Sequence, residues 1–422
     1  MKRLLLLALL LALRSAPLTA ASPMEDAASS VNRLGFQLLP RLGPARENVV
    51  LSPYSIQAAF ALAYAGADGA TREELRQVLG YPESDADLAL GLPALQRALE
   101  GLVTNSVDRA AAQRKYGVAM EPLTLTIAHR LFGQAGYPFQ PAFLSLTRDV
   151  FGAPFETVDF HRFPDRARRH INDWVADRTR QRIRDLIPAD GVDRETRLVL
   201  VNALHFKSGW REPFSAGETQ PRPFHLRGGE PAAVATLHRR GSYRFIQQAG
   251  QAAVFLPFAT PELECVIVRP DAQDGLAPVE AGLSAATWKE LEAAAAPRDL
   301  LLELPRFKLE PPTVRLGTAL RQLGLRRPFN EPVGAADFGR MAPRRPDDYL
   351  FLSEAFHQAF VAVDEKGAEA AAATAVAMAR ATALPVQRPP PLEFKVDRPF
   401  LFAIQHRPTG TCLFLGRVTD PR

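Results

Sequence analysis

The stretch from residue 364 to residue 385 constrains this chain more than any other. It opens with a charged triplet and a glycine (364–367), and residues 368–381 are mostly alanine, with charge only at Glu369 and Arg380. Because alanine is the strongest helix former, a surface helix or a linker is one interpretation. The other interpretation is a segment that is exposed in one state of the protein and packed between strands in another. Small side chains suit the packed state because they avoid overpacking.

Residues 1–21 have the features of a secretory signal peptide. Two basic residues precede an apolar run (4–13), and small residues follow as far as Ala21. The run is too short to cross a bilayer, so we expect cleavage after Ala20 or Ala21 and export, to the outside of the cell or to a periplasm. A short buried helix is the alternative. Cleavage would leave residues 22–422 as one domain.

Charge and cysteine content exclude several classes of protein. The formal net charge is +5, and the predicted signal peptide holds three basic residues and no acid, so the remainder is only weakly basic. A role in binding nucleic acid or a membrane surface therefore gains little support. Cys265 and Cys412 lie in apolar, strand-like runs, which favours buried free thiols over the single bridge that they could form. No metal, cofactor or hydrolase motif is present.

Local patterns indicate an α+β chain. Ser52 followed by Pro53 is typical of a helix N-cap with proline at the first helical position. Residues 165–186 have the apolar spacing of a long amphipathic helix. The near-continuous apolar run 198–206 predicts a strand buried on both faces. Helices dominate the first half of the chain and strands dominate the second.

Eight segments, in order, resemble the serpin family from about residue 30 to the C-terminus. They are 48–56, 171–188, 200–210, 302–308, 316–325, 336–341, 357–364 and 397–400. The resemblance implies a monomer with the α+β serpin fold, about nine helices around three β-sheets. It makes residues 365–391, approximately, an exposed reactive-site loop.

The resemblance also assigns site residues. The hinge of the loop comprises Glu365, Gly367, Ala368, Glu369, Ala370, Ala371, Ala372, Ala373 and Thr374. Position 368 is usually threonine in inhibitory members, but alanine is also small and uncharged. The sheet opening is lined by Ser52, Ser55, Asn202, His357, Trp210 and Arg306. We expect Arg306 to pair with Glu365, the alternative being an unpaired surface charge. His357 and Trp210 have the alternative of being ordinary core residues.

The implied function is a suicide substrate for a serine protease, not an enzyme, and it needs no cofactor. Cleavage of the loop would let the alanine-rich segment insert into the main sheet. Counting from the hinge places the scissile bond at Ala381–Thr382, which suits an elastase-like protease. The alternative, Arg380–Ala381, suits a trypsin-like protease. A serpin-fold carrier or chaperone that never inserts its loop is the competing function.

Overall fold

The computed structural model of the protein describes residues 22–117, 120–368 and 389–422. The predicted signal peptide (1–21) and residues 369–388 of the predicted loop lie outside this part of the chain. Within it, no helix combines the length and the apolar composition that crossing a bilayer requires.

The described residues form nine α-helices and seventeen strands. The helices are α1 (Pro23–Leu38), α2 (Pro53–Gly66), α3 (Gly69–Leu79), α4 (Asp85–Arg114), α5 (Pro141–Asp149), α6 (Pro164–Arg178), α7 (Leu276–Ala281), α8 (Ala285–Ala294) and α9 (Gly317–Gln322). The expected α+β class, with about nine helices, is confirmed.

The strands fall mainly in the second half of the chain, as expected. They are β1 (Val49–Leu51), β2 (Thr124–Gln134), β3 (Glu156–Val158), β4 (Leu198–Gly209), β5 (Gln220–Phe224), β6 (Ala232–Gln248), β7 (Gln251–Pro257), β8 (Leu263–Pro270), β9 (Ala296–Pro305), β10 (Phe307–Leu309), β11 (Val314–Arg315), β12 (Ala355–Ala359), β13 (Val361–Val363), β14 (Gly367–Ala368), β15 (Leu392–Lys395), β16 (Phe400–His406) and β17 (Thr411–Val418).

The helix expected over 165–186 is shorter than predicted, since α6 ends at Arg178. Thr179 ends it by donating its hydroxyl to the carbonyl of Val175 (2.9 Å) and accepting the N–H of Ile183 (3.1 Å). The two residues after Thr179 have left-handed φ angles of 51° and 64°. Ile183 is nevertheless buried in the same apolar cluster as the helix. The apolar spacing therefore continues past the helix end, which is why the sequence suggested one long helix.

Strand β4 is the centre of the smaller sheet network. β2 pairs with one edge of β4 and carries β3. The other edge is shared. Residues 200–204 of β4 pair in parallel with β12, whereas residues 208–209 pair with the short antiparallel strand β14. β13 continues from β12 but pairs with β14 and β10 instead of β4. The sheet therefore divides at one end, and β14 occupies the division.

The two faces of β4 pack against different layers, as predicted for a strand buried on both sides. Val199, Val201 and Ala203 belong to the apolar cluster that includes side chains of α6. Leu200 and Leu204 face the main core, to which the wholly buried helix α2 also belongs. Every residue of β4 from 198 to 206 is buried. A segment added beside β4 would therefore have to fit between these two layers.

The larger network runs in the order β1-β17-β16-β8-β7-β6-β9-β15, with β5 paired to β6. β6 changes partner along its length, from β5 to β9 and then to β7. Because β6 is shared in this way, the three sheets that the resemblance implies form two hydrogen-bonded networks.

Both cysteines are buried free thiols. Cys265 lies on β8 and Cys412 on β17, and β16 runs between these strands. Two strand spacings put their backbones about 9 Å apart, which exceeds the reach of a disulfide, roughly 7 Å between Cα atoms. The topology therefore excludes the bridge that the sequence left open.

Candidate functional site

Residues 364–368 turn the chain back from β13 into β14. They include only the first part of the loop hinge that the resemblance assigns, and from here on we call residues 364–368 the hinge. The carboxylate of Asp364 accepts the N–H of Lys366 (2.8 Å) and the N–H of Gly367 (3.2 Å). The N–H of Asp364 donates to the carbonyl of Gly367 (2.9 Å). One side chain thus closes the turn on itself, as aspartate commonly does in turns. Sequence reasoning missed this role of Asp364, although an Asp three residues before a Gly is a turn signal.

The end of the hinge lies between two strands. Gly367 and Ala368 pair with Gly209 and Ser208 of β4, and Ala368 also pairs with Val363 of β13. A Cβ atom added to Gly367 would lie 2.1 Å from the carbonyl oxygen of Ser208, closer than any side chain can approach. Glycine is therefore required for this close approach to the β4 backbone. Ala368 is 1% exposed and faces the main core.

Trp210 joins the hinge to the core. Its indole Nε1–H donates to the carbonyl of Asp364 (2.9 Å), and its backbone N–H donates to the carbonyl of Lys366 (2.8 Å). The ring stacks on Phe258, with centroids 4.7 Å apart and planes 5° apart. Trp210 is therefore both a core side chain and a direct contact of the hinge.

Glu365 has a closer partner than the one that the sequence suggested. Its Oε1 accepts the hydroxyl of Thr219 at 2.9 Å, whereas Nη1 of Arg306 lies 4.0 Å away. The Arg306 side chain is 55% exposed, so water screens the pair and its contribution is small, about 1 kcal/mol or less. That Arg306 and Glu365 guard the sheet opening remains a prediction, and Thr219 is the contact that sequence reasoning missed.

Four buried polar residues meet where β4 and β12 pair directly. Asn202 and His357 are opposite each other in the β4–β12 register. His357 Nδ1 lies 3.0 Å from Asn202 Oδ1, and the hydroxyl of Ser55 donates to the same oxygen at 2.6 Å. The N–H of Ser52, the N-cap of α2, lies 3.0 Å from His357 Nε2. The family resemblance assigned all four residues to the sheet opening, and the fold brings them together.

These contacts fix the protonation of His357. The N–H of Ser52 can only donate, so Nε2 of His357 accepts it, and Nδ1 carries the hydrogen and donates to Oδ1 of Asn202. Full burial lowers the pKa of His357 to about 3. The imidazole is therefore neutral at physiological pH. It bridges the start of α2 and β4. At this point β4 and β12 would have to separate for a new strand to enter.

The remaining predicted residues are not placed. Residues of the predicted hinge beyond Ala368 and both candidate scissile bonds lie outside the described residues; they are Glu369, Ala370, Ala371, Ala372, Ala373, Thr374, Arg380, Ala381 and Thr382. Their roles stay predictions.

The family model described as serpin (serine protease inhibitor) matches residues 29–421. The chain is a serpin. It is 34% identical over 385 residues to the leukocyte elastase inhibitor of Bos taurus, covering 89% of this chain and 93% of that protein. It is 32% identical over 394 residues to an uncharacterised serpin-like protein of Thermococcus kodakarensis, covering 93% and 85%. Among solved structures it is similar to uncleaved ovalbumin, with a TM-score of 0.78, 25% identity, and coverage of 94% and 100%.

Substituting Gly367 with alanine is expected to expel the hinge of this serpin from its position between the strands. The new Cβ would also lie 2.7 Å from the Cα of Gly209, and neither backbone atom can move without breaking β4. Loss of the hinge contacts would release the Trp210 indole from the carbonyl of Asp364. We expect a red shift of tryptophan fluorescence and faster proteolysis beside the hinge.

The matched control is Gly209→Ala. Its Cβ would lie 3.5 Å from the carbonyl oxygen of Lys366, an ordinary contact, so the spectrum should match wild type. In a Trp210→Phe background the shift caused by Gly367→Ala should disappear. Identical spectra for Gly367→Ala and wild type would contradict the close approach described here.

Proposed function

We propose that this serpin is a secreted inhibitor that serine proteases attack as a suicide substrate. The protease serine would add to the carbonyl of Ala381, the Ala381–Thr382 bond would break, and the amine of Thr382 would leave. The acyl ester then tethers the protease to the segment that ends at Ala381, and this segment is free to move once the bond is cut. Trapping requires that this segment insert into the sheet before water hydrolyses the ester.

The observation that carries the proposal is that a new strand has already started in the division of the sheet. Gly367 and Ala368 pair antiparallel with residues 209 and 208 of β4, and Ala368 pairs with residue 363 on the other side. Extending both registers places Thr374 opposite Asn202 on β4 and opposite His357 on β12. β4 has 12 residues, so the inserted strand would reach residue 378, a length of about 40 Å.

The alternation of side chains in this register suits the two layers around β4. Even-numbered residues would face the main core, as Ala368 does already. Odd-numbered residues beyond 369 would face α6, and every one from 371 to 377 is alanine. Glu369 would fall opposite Lys207 and Ala362, which are both only half-buried. The one acidic side chain of the segment would thus lie between two half-buried neighbours, so the sequence of the segment supports insertion.

The hydrogen bonds at the β4–β12 junction also suit exchange for an inserted strand. Insertion must break the contact between His357 and Asn202. A threonine hydroxyl both donates and accepts, so Thr374 between them could accept from His357 Nδ1–H and donate to Asn202 Oδ1. Neither buried group would then lose a partner, whereas an apolar residue at 374 would leave the Nδ1–H of His357 without an acceptor, since Asn202 Oδ1 would keep only the hydroxyl of Ser55.

We further infer that residues 1–21 direct export and that residues 22–422 are the mature domain. Ser22 forms a capping box with Glu25 at the start of α1, so the first helix needs no residue before Ser22. Cleavage after Ala21 would leave this helix start intact.

Incubation with elastase should produce a covalent complex that resists boiling in SDS, together with a released C-terminal peptide beginning at Thr382. The small side chain of Ala381 suits an elastase-like pocket, and a relative of this chain is named a leukocyte elastase inhibitor. Trypsin tests the alternative bond, for which the peptide would begin at Ala381. Denaturing electrophoresis and peptide mass spectrometry read both outcomes. Loop cleavage by both enzymes without any complex would contradict the inhibitor proposal.

A further inference from the structure

His129 of β2 lies beside the polar cluster at the β4–β12 junction. In the β2–β4 register His129 is directly opposite Asn202, and Asn202 is opposite His357 on the other side of β4. Directly opposite residues on paired strands project from the same face of a sheet, with Cβ atoms roughly 5 Å apart. Two residues further along β2, Leu131 is opposite Leu200, and both belong to the main core. His129, Asn202 and His357 therefore form one row across three strands, on the face that meets the main core.

His129 carries a buried acceptor without a partner. Its side chain is buried, and Nε2 lies 3.3 Å from the carbonyl oxygen of Phe151. Because a carbonyl can only accept, Nε2 carries the hydrogen and Nδ1 is an acceptor. Nδ1 has no hydrogen-bond partner within the described part of the chain. Burial lowers the pKa of His129, so the ring is neutral at physiological pH and Nδ1 stays an acceptor. Buried acceptors are normally paired, so this one calls for an explanation.

The amide of Asn202 can supply the missing donor. The two hydrogen bonds that Asn202 makes in the polar cluster use only its Oδ1, which accepts from Ser55 and from His357. The Nδ2 group has two hydrogens to donate. The 3.0 Å contact with His357 holds the side chain of Asn202 toward β12, on the opposite side of β4 from His129. Insertion of a strand between β4 and β12 must break this contact.

We propose that His129 is a positioning residue for strand insertion, because it receives the amide of Asn202 when β12 separates from β4. A hydrogen bond from Nδ2 of Asn202 to Nδ1 of His129 would replace the bond lost to His357, while the hydroxyl of Ser55 still donates to Oδ1. Replacing a lost buried hydrogen bond in the open sheet lowers the barrier to opening. This inference rests on the proposed function, since it concerns how fast the loop segment enters the sheet before the ester is hydrolysed.

Two substitutions of His129 separate this role from core packing. His129→Phe keeps a ring but removes the acceptor, so we expect the ratio of cleaved, untrapped chain to SDS-resistant elastase complex to rise about five-fold or more. The gain in thermal midpoint after a non-target protease cuts the loop should match that of wild type, because only the speed of insertion changes. His129→Asn places an acceptor oxygen at the position of Nδ1, so its ratio should stay within about two-fold of wild type. The smaller side chain leaves a cavity, so this variant should nevertheless have the lower thermal midpoint.

A purely structural role of His129 predicts the reverse order, in which His129→Asn, the less stable variant, also traps elastase less well. Denaturing electrophoresis gives the ratio and differential scanning calorimetry gives the midpoints. His129→Leu also lacks an acceptor, so it should repeat the result of His129→Phe and takes its place if that variant does not fold.

Tyr54→Phe is the matched control. Tyr54 precedes Ser55 on α2, and its buried hydroxyl also lacks a partner among the residues that the structure describes. Its removal should leave the ratio unchanged. A rise equal to that of His129→Phe would make Tyr54 the donor to His129 and overturn the inference.

The wild-type chain in the same experiment tests the proposed function separately. If wild type traps elastase and gains stability when cut, a wild-type ratio for His129→Phe overturns the role of His129 alone. An equally raised ratio for His129→Asn does the same, because the acceptor would then not matter. If wild type neither traps elastase nor gains stability, the proposed function fails and the role of His129 fails with it.

Discussion

Replacing Thr374 with arginine is expected to convert the inhibitor into an ordinary substrate. Elastase should still cleave the loop at the wild-type rate, while the yield of SDS-resistant complex should fall at least ten-fold. In the register that starts at β14, residue 374 lands opposite Asn202 on the core side of β4. Ser55 and His357 already occupy that side, and both are fully buried.

The physical reason is the cost of burying a charge. An unpaired guanidinium at this depth would cost several kcal/mol, and no carboxylate takes part in the Asn202 cluster. Insertion would therefore stop above residue 374, with less than two thirds of the strand formed. The protease would keep enough freedom to hydrolyse its ester and leave.

Glu369→Arg is the matched control, because it introduces the same side chain five residues earlier. The register places residue 369 between the half-buried residues Lys207 and Ala362, so this arginine can stay in water. Complex formation should remain within about two-fold of wild type. If Thr374→Arg traps elastase normally, the proposed register is wrong. If Glu369→Arg also fails to form the SDS-resistant complex, a positive charge blocks insertion at either site. The half-buried site at 369 and the buried site at 374 would then not differ.

The sequence predicted best where a local rule and a burial pattern agree. Ser52 and Pro53 mark the start of α2, and the structure has the cap and the helix there. The apolar run from residue 198 becomes β4, which is buried on both faces. The meeting of Ser52, Ser55, Asn202 and His357 required the family resemblance, because no local pattern connects residues 150 positions apart.

The failures have identifiable causes. The end of α6 was misplaced because Ile183 stays in the same apolar cluster after the helix has ended. The long helix α4 escaped notice because it contains Pro93, which normally indicates a break. Thr219 could not be found as the partner of Glu365, because a single threonine on a loop carries no signal in the sequence. Contacts of this kind depend on how distant segments come together.

Cleaving the loop in the absence of a target protease is expected to raise the thermal midpoint of unfolding by about 20 °C or more. A catalytic amount of a cysteine protease that cuts within residues 381–391 would make the cut. The freed segment could then add a strand between β4 and β12. Insertion would break the five-residue ladder that joins them and replace it with two longer ones.

The expected size follows from the hydrogen bonds gained. An inserted strand of about a dozen residues adds roughly 15 net ladder bonds, each worth on the order of 1 kcal/mol, and it buries small side chains on both faces. A gain on the order of ten kcal/mol means that the uninserted state is not the free-energy minimum. The uncut chain stays in that state because a kinetic barrier prevents insertion. Differential scanning calorimetry before and after the cut measures the change.

Thr374→Arg serves as the control here too, since insertion that stops before residue 374 should raise the midpoint by clearly less than in the wild-type chain. A cut wild-type chain with an unchanged midpoint would favour the competing function, a carrier that never inserts its loop. A rise in midpoint without any SDS-resistant complex would show that insertion occurs but is slower than hydrolysis of the ester. The two measurements together therefore separate the presence of the inserted state from the speed with which it forms.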